Sequence, residues 1–189
     1  MKESRSLTEG GMRNRFDPLR SIEWIGEVND ANLKKAFRQL NALIQKEQDG
    51  PIFFLVKSSG GDMEVGFAFY HYIRLSRIRL TSIAFSEVSS MGVILFVAGH
   101  RRIMMPDASL FLHEPTIELK GYTMDETKRE ARKLKNLRAQ YVSAIHRASG
   151  EKLARKKISR MMEEKTTLNA KTSVRLHIAH EIWTPTAIR

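Results

Sequence analysis

At 189 residues the chain is long enough for one domain with a sizeable core, and its lack of cysteine excludes disulfides, thiol catalysis and thiolate metal sites. No apolar run reaches the roughly 20 residues that span a bilayer, and the polar first twenty residues lack the apolar centre of a secretory signal, so we expect a cytoplasmic protein with no membrane partner. The net charge of +11 could attract nucleic acid, but the cations are spread along the chain, which is more typical of a solvated basic surface.

Hydrophobic patterning divides the chain into two parts. Residues 1–20 carry many charges and no periodicity, which predicts a flexible N-terminal arm, and residues 21–189 are interpreted as a single domain. Strands alternate with helices from Ile22 to Phe85, which favours an α/β fold built from right-handed crossover units. The expected elements are strands 21–28, 52–56, 80–85, 103–105, 109–113 and 182–183, and helices 30–48, 62–76, 91–98, 124–148, 152–162 and 169–177.

Three short motifs stand where apolar runs end, which is where α/β folds place their chemistry. Ser90 lies between an apolar strand and an apolar helix, at the N-terminal end of that helix. Free backbone N–H groups there suit a developing negative charge. We interpret Ser90 as a nucleophile, with the N–H groups of Gly61 and Met91 as the two donors of an oxyanion hole.

The base would be His113, which ends a predicted strand. Pro115 keeps the residue before it extended, so the imidazole should stay near the edge of the sheet where the two glycine-bearing turns gather. Taken singly, each signal has an ordinary structural explanation: a serine before a helix is often a cap, a glycine pair is often a turn, and a lone histidine often lies at the surface or in the core.

The three motifs together resemble those of the Clp peptidase family, the proteolytic subunits of ATP-dependent serine proteases. Lys57-Ser58-Ser59-Gly60-Gly61-Asp62 stands where that family has Asn-Ser-Pro-Gly-Gly-Ser, and Val88-Ser89-Ser90-Met91-Gly92 resembles its Ala-Ala-Ser-Met-Gly nucleophile motif. Pro106-Asp107-Ala108-Ser109, followed by Leu112-His113-Glu114-Pro115, resembles the family segment that carries the base. The similarity runs from about Ile22 to Trp183, with order and spacing in agreement.

The resemblance implies a crotonase-like α/β fold, a superhelix of β-β-α units from which a long handle helix beginning near Glu126 projects. It also implies stacked seven-membered rings of this chain that enclose the active sites, polypeptide substrates, and a ring-shaped AAA+ unfoldase as partner. ATP would be used by that unfoldase, so this chain itself needs no cofactor and no metal.

One departure concerns the third member of the triad. Lys165 stands where the family has its catalytic aspartate, and an ammonium there would disfavour protonation of His113. Glu164 could supply the acid if the turn shifts, as could Glu163, although solvated charges at a helix end are the more ordinary explanation of both. A serine–histidine dyad with slow turnover is the remaining catalytic possibility.

Other functions stay open at this stage. A catalytically impaired Clp-like ring subunit that supports an active paralogue is favoured by Lys165, whereas the intact Ser90 and His113 oppose it. An acyl-CoA reaction would use the same glycine-turn oxyanion hole but has no need of the serine–histidine pair. His177 and His180 could share a helix face as metal ligands, yet no third ligand clearly joins them.

Overall fold

The structure is a computed structural model that describes residues 16–46, 50–76, 78–118 and 120–184. Most of the predicted N-terminal arm, residues 1–15, lies outside the described residues. The last residues of that segment are folded: the ring of Phe16 meets that of Phe53 edge-on, with centroids 5.4 Å apart. Pro18–Arg20 then forms a single 3-10 turn that Asp17 caps. Folded structure is therefore present before residue 21, from Phe16 onward.

The first three elements agree with the sequence-based expectation apart from their ends. Strand β1 (Ser21–Ile25) leads into helix α1 (Asp30–Ile44), which begins where the Asn29 side chain accepts a hydrogen bond from the N–H of Asn32. Strand β2 (Ile52–Ser58) pairs in parallel with β1. Its nearly continuous burial is typical of a parallel strand covered on both faces.

The next strand is longer than its sequence suggests. Helix α2 (Met63–Leu75) leads to strand β3 (Leu80–Ser89), which was expected to end at Phe85. The strand continues because it gains a new neighbour. Its first part pairs with strand β4 (Arg101–Met104), and its last three residues pair with strand β5 (Ser109–Leu112). The sheet thus forks along β3.

Helix α3 (Met91–Val97) follows β3 directly and is buried on every side, as its apolar sequence predicts. It packs among α2, β3 and a long helix, α4 (Met124–Ala148). Thr123 and Glu126 form the predicted capping box at the start of α4. The first half of α4 is largely exposed, and burial begins at Tyr141, so this helix projects from the core as the handle was expected to do.

The C-terminal part contains a strand that sequence patterning missed. Helix α5 (Arg155–Glu163) precedes strand β6 (Thr166–Asn169), which runs antiparallel to β5. The four residues of β6 are mostly polar because it lies at the rim of the fork and buries only Leu168. Helix α6 (Ala170–Arg175) and strand β7 (Glu181–Ile182), which pairs with β4, complete the described chain.

The sheet order is β1-β2-β3-β4-β7, with β5 and β6 on the branch. Its core is aromatic: Phe69 packs against Trp24 and Phe54, with ring centroids 5.6 and 4.9 Å apart. All three rings are 1% exposed or less. Among the described residues no helix is both long and apolar enough to cross a membrane.

Candidate active site

The fork in the sheet brings the three sequence motifs together. At the end of β2, Ser58 pairs with Val88 of β3, and one residue later Ser89 pairs with Phe111 of β5. The glycine turn after β2, the Ser90 turn after β3 and the histidine after β5 consequently leave the sheet side by side. Three segments that are far apart in sequence converge because β3 has a partner on each side at this point.

Ser90 has a backbone conformation that is rare for a residue with a side chain. Its φ is 52° and its ψ is −124°, outside the main allowed regions. Several contacts hold it there: its N–H donates to the carbonyl of Phe111 at 2.8 Å, and its carbonyl accepts from the N–H of Val93 and from the hydroxyl of Tyr141, both at 3.0 Å. Strain that the surroundings enforce in this way is concentrated at functional sites.

The glycine turn lies directly against the Ser90 side chain. Gly60 has a φ of +95°, and a Cβ placed on it would lie 2.5 Å from the Cβ of Ser90 and 3.0 Å from its Oγ. Val28 anchors the turn, since its N–H donates to Gly60 at 2.7 Å and its carbonyl accepts from Asp62 at 2.8 Å. Only glycine allows this approach, so the side chain of Ser90 requires a glycine at position 60.

Gly61 and Met91, the predicted oxyanion donors, both line the same cavity as Ser90. The hydrogen bonds found among the described residues use neither of their N–H groups. An N–H group that is near the nucleophile and has no acceptor of its own is the feature required of an oxyanion hole.

His113 also lines this cavity, with its ring half-buried and stacked on Phe111 at a centroid distance of 5.4 Å. Its Nδ1 lies 2.6 Å from the carbonyl oxygen of Glu114. Since a carbonyl can only accept, Nδ1 must carry the proton and Nε2 must hold the free lone pair. This tautomer is the one that can take a proton from a serine hydroxyl. The hydrogen bonds of the described residues do not include one between Ser90 and His113.

The cavity has a volume of about 300 Å³ and combines these polar groups with apolar walls. Its apolar lining comes from Met63, Met91, Pro115, Tyr141 and Met162. A concave site with a few convergent polar groups on an apolar surface is the usual form of a substrate pocket. The geometry therefore supports acyl transfer by a serine nucleophile.

Comparison with known proteins agrees with this geometry. The sequence model of the Clp protease family matches residues 7–186. The chain belongs to the Clp protease family. Membership in this family assigns it to the serine peptidases, a class of hydrolases.

Relatives in the family share about a quarter of their residues with this chain. The ATP-dependent Clp protease proteolytic subunit 2 of Treponema denticola is 27% identical over 183 residues, which cover 96% of this chain and 90% of that protein. The protein of the same name from Treponema pallidum is 27% identical over 157 residues, covering 80% and 78%.

A solved structure supports the same fold. The structure of a ClpP1 mutant from Listeria monocytogenes superimposes with a TM-score of 0.78 at 22% sequence identity, covering 88% of this chain and 92% of that one. The expected crotonase-like α/β fold of the Clp peptidases is therefore confirmed.

The position of the family's catalytic acid is occupied differently here. Strand β6 pairs with β5 up to Thr166 opposite Leu112, so the next residues along the two segments are Lys165 and His113. Lys165 is exposed and has a φ of 50°. Glu164 does not join the cavity; its carboxylate accepts from Nε of Arg160 at 2.7 Å on the outer face of α5. The structure thus brings Ser90, His113, Gly61 and Met91 together and places Glu164 elsewhere.

Glu163, the other acid considered, belongs to a different ion-pair network. Arg138 of the handle helix binds the Glu114 carboxylate through Nε at 2.7 Å and through Nη2 at 2.5 Å, and Nη2 also lies 3.3 Å from Glu163. The hydrogen bond to Glu114 raises the pKa of Arg138. Sequence reasoning missed Arg138; the only signal was the glutamate beside the base, where the family has glutamine. The handle helix is tied in this way to the residue whose carbonyl orients His113.

The described residues contain no cluster of three or more histidine, cysteine, aspartate or glutamate side chains that could hold a metal ion. Of the two histidines considered as ligands, His180 accepts a hydrogen bond from the backbone N–H of Arg102 at 3.0 Å through Nδ1. The Arg102 guanidinium lies 3.3 Å from its other ring nitrogen. Both nitrogens of this ring are therefore in contact with an arginine.

Proposed function

We propose that this chain is a serine endopeptidase that cleaves unfolded polypeptides. The observation that carries the proposal is the placement of Gly60 against the side chain of a strained Ser90, in the cavity that His113 also lines. A cap or a core serine would have no need for a glycine turn packed against its side chain. A nucleophile does, because this close approach brings the N–H of Gly61 near the oxygen of the carbonyl that Oγ attacks.

The residues would act in the following order. Ser90 Oγ attacks the scissile carbonyl carbon while His113 Nε2 takes the hydroxyl proton, and the N–H groups of Gly61 and Met91 stabilise the oxyanion. His113 then gives the proton to the leaving amine. Water, deprotonated by the same nitrogen, hydrolyses the acyl-enzyme and restores Ser90. None of these proposed steps uses a cofactor bound to this chain.

Of the two roles that the aspartate has in a triad, only one would be filled in this chain. The carbonyl of Glu114 selects the tautomer of His113, as an aspartate does in a triad, but it carries no full charge to stabilise the imidazolium. The chain would therefore work as a serine–histidine dyad with a backbone acceptor. Turnover should be slower than with a full triad, since no carboxylate stabilises the imidazolium that forms when His113 takes the proton.

The cavity walls support a preference for an apolar side chain next to the cleaved bond. Three methionines, Met63, Met91 and Met162, line the cavity together with Pro115. Methionine side chains are flexible and polarisable, so they adapt to ligands of different shape. This suits an enzyme that must accept many sequences rather than one.

The proposal includes the assembly of this chain into rings and a partner that supplies energy from ATP. We expect the chain to form stacked seven-membered rings that enclose the cavities, and to receive substrate from an ATP-dependent AAA+ unfoldase. This rests on membership in the Clp protease family and on the names of its relatives, which are proteolytic subunits of ATP-dependent Clp proteases. We expect this activity in the cytoplasm.

The test is covalent labelling of the assembled protein with a fluorophosphonate that reacts with activated serines. We expect stoichiometric labelling of the wild type and none of Ser90→Ala or His113→Ala. Ser59→Ala is the matched control, since Ser59 lines the same cavity without an assigned role and should leave labelling intact. A correctly assembled wild type that takes no label would contradict the proposal.

One alternative function has specific support. Lys165 at the acid position and the pairing of Glu164 with Arg160 favour a catalytically impaired ring subunit that supports an active paralogue. This alternative predicts that the chain takes no label on its own but enters mixed rings with an active Clp peptidase. Mass measurement of the mixed rings, with labelling of each subunit, separates the two functions.

A further inference from the structure

A second cavity, of about 580 Å³, lies at the end of α3 that is remote from Ser90. It shares no lining residue with the Ser90 cavity. Several helices end around it: Arg74 is in the last turn of α2, Val97 is the last residue of α3, and Arg147 is in the last turn of α4.

Arg102 forms the floor of this cavity and is only 4% exposed. Its guanidinium donates to the carbonyls of Ile178 at 2.7 Å, Gly99 at 3.0 Å and Ala148 at 2.5 Å. All three acceptors are neutral, and each lies just beyond a helix or at its end. Burial, together with the charge of Arg74, lowers the pKa of Arg102 to about 10. A buried cation is thus held by carbonyl dipoles, with no carboxylate among its hydrogen-bond partners.

The three carbonyls stabilise the positive charge of Arg102, but they do not bind the other cationic side chains that line the cavity. Arg74, Arg147 and Lys152 also line the cavity, and their side chains form no ion pair with Asp or Glu in the described part of the chain. The titratable lining is completed by His100, His177, His180 and Tyr70, and no acidic residue contributes to it. This charge also acts on the histidines: burial first, and then Arg102, lowers the pKa of His180 to about 4.

Four permanent cations around one concave surface repel each other and destabilise the fold. The arrangement becomes favourable when an anion fills the cavity, because guanidinium groups bind oxyanions through paired, charge-assisted hydrogen bonds. A volume of about 580 Å³ falls within the usual range for small-ligand sites. It exceeds the space needed by one inorganic ion, and the spread of the cations over several elements suits a ligand with more than one anionic group.

We propose that this cavity binds a small molecule carrying two or more phosphate groups, at a site separate from the peptidase site. Arg74, Arg147 and Lys152 would contact the phosphates directly. Arg102 would supply fixed positive charge from below while its hydrogen bonds hold the helix ends that shape the cavity. The proposal does not depend on catalysis at Ser90.

The test is isothermal titration of the full-length protein, in the oligomeric state that it adopts, with inorganic tripolyphosphate at constant ionic strength. We expect saturable binding with one site per chain, and a dissociation constant at least about tenfold higher in Arg74→Gln and in Arg147→Gln, because each loses a hydrogen bond between charged groups. Arg132→Gln is the matched control: Arg132 is an exposed arginine of the same helix as Arg147, but it lies outside the cavity. Its affinity should equal that of the wild type.

Two results would overturn the proposal. Equal weakening by all three substitutions would mean that tripolyphosphate responds only to the net charge of +11. Absence of saturable binding by the wild type would also overturn the proposal. If, in that case, Arg74→Gln or Arg147→Gln alters the oligomeric state measured by light scattering, the occupant is an acidic segment of a second copy of the chain. Because Ser90→Ala leaves the second cavity intact, it should bind tripolyphosphate like the wild type whether or not the peptidase proposal holds.

Discussion

The two ends of helix α3 use their backbone polar groups in opposite ways. At the N-terminal end Met91 lines the cavity beside Ser90, and no hydrogen bond of the described residues uses its N–H. At the C-terminal end the carbonyl of Gly99 is already bound by a buried Arg102. At one end of this seven-residue helix, the open end, a backbone N–H is left free; near the other, the closed end, the protein itself binds the backbone carbonyl.

The contrast shows what distinguishes a reactive site from a structural one in this molecule. An unsatisfied buried polar group costs free energy, so the closed end stabilises the fold. The open end gives up that stability, and the strain at Ser90 adds to the cost. The surrounding core, with α3 buried on all sides, is what tolerates it. Substitutions at the two ends should therefore affect different measurements.

The largest effect on stability is expected at the closed end. Arg102→Met would leave three carbonyls near helix ends without their donor, and we expect the free energy of unfolding to fall by about 2–4 kcal/mol. Chemical denaturation measures this loss. Arg132→Met is the matched control, because Arg132 is exposed and forms no ion pair among the described residues, so its loss should change stability by no more than about 0.5 kcal/mol. Equal losses in the two variants would mean that the C-terminal end of α3 is not closed by Arg102.

At the open end, activity should fall more than stability. In Gly60→Ala the new Cβ would lie 2.5 Å from that of Ser90, so the turn carrying Gly61 must move away from the nucleophile. We expect kcat/KM for peptide hydrolysis to drop at least about 100-fold, as when an oxyanion donor is lost.

Gly121→Ala separates this steric effect from backbone strain. Gly121 also has a positive φ, +77°, but a Cβ there would meet no atom within 4 Å. It should cost about 1 kcal/mol of stability and leave kcat/KM unchanged. If Gly60→Ala retained full activity, the close approach of the glycine turn would have no catalytic meaning.

A smaller effect is expected from adding the missing charge at the open end. Lys165→Asp places a carboxylate next to the strand end that carries His113, and aspartate tolerates the positive φ of this position better than most residues. We expect kcat/KM to rise at least about tenfold, since a carboxylate stabilises the imidazolium.

Two controls apply to this variant. Lys165→Ala measures the benefit of removing the ammonium alone, and Lys171→Asp makes the same charge change at an exposed position of α6. An unchanged or lower rate in Lys165→Asp would show that no acid acts from this position.

The smallest effect concerns the support of the strained serine. Burial raises the pKa of Tyr141, so its hydroxyl stays protonated and donates to the carbonyl of Ser90. Tyr141→Phe removes one hydrogen bond while Val93 still donates to the same carbonyl, so we expect a loss of about 1 kcal/mol in stability and a few-fold decrease in kcat/KM. Tyr122→Phe, in the exposed loop before α4, should change neither quantity. A Tyr141→Phe variant indistinguishable from this control would mean that Tyr141 does not support the conformation of Ser90.

Sequence reasoning was most successful where a pattern is local. The capping box at Thr123 and the buried helix α3 followed directly from residue order. It stopped β3 four residues early and missed β6, because both depend on pairing with β5. The same long-range pairing puts Lys165 beside the end of β5, whereas the ion pair that turns Glu164 outward is formed with Arg160 one helical turn away.

The order of residues by itself determined the α/β class, the positions of the three motifs and the family resemblance, because periodicity, caps and short motifs are properties of neighbouring residues. Tertiary structure alone decided that the Glu114 carbonyl faces Nδ1 of His113 and that Arg138 of the handle helix binds the Glu114 carboxylate. It also decided that Arg102 donates to carbonyls near the ends of helices. The contacts of Arg138 and Arg102 join a side chain to groups on other segments, and the contact of His113 depends on the torsions that two adjacent residues adopt at the end of β5. No spacing along the chain specifies such a contact, since it depends on where the forked sheet leaves each strand.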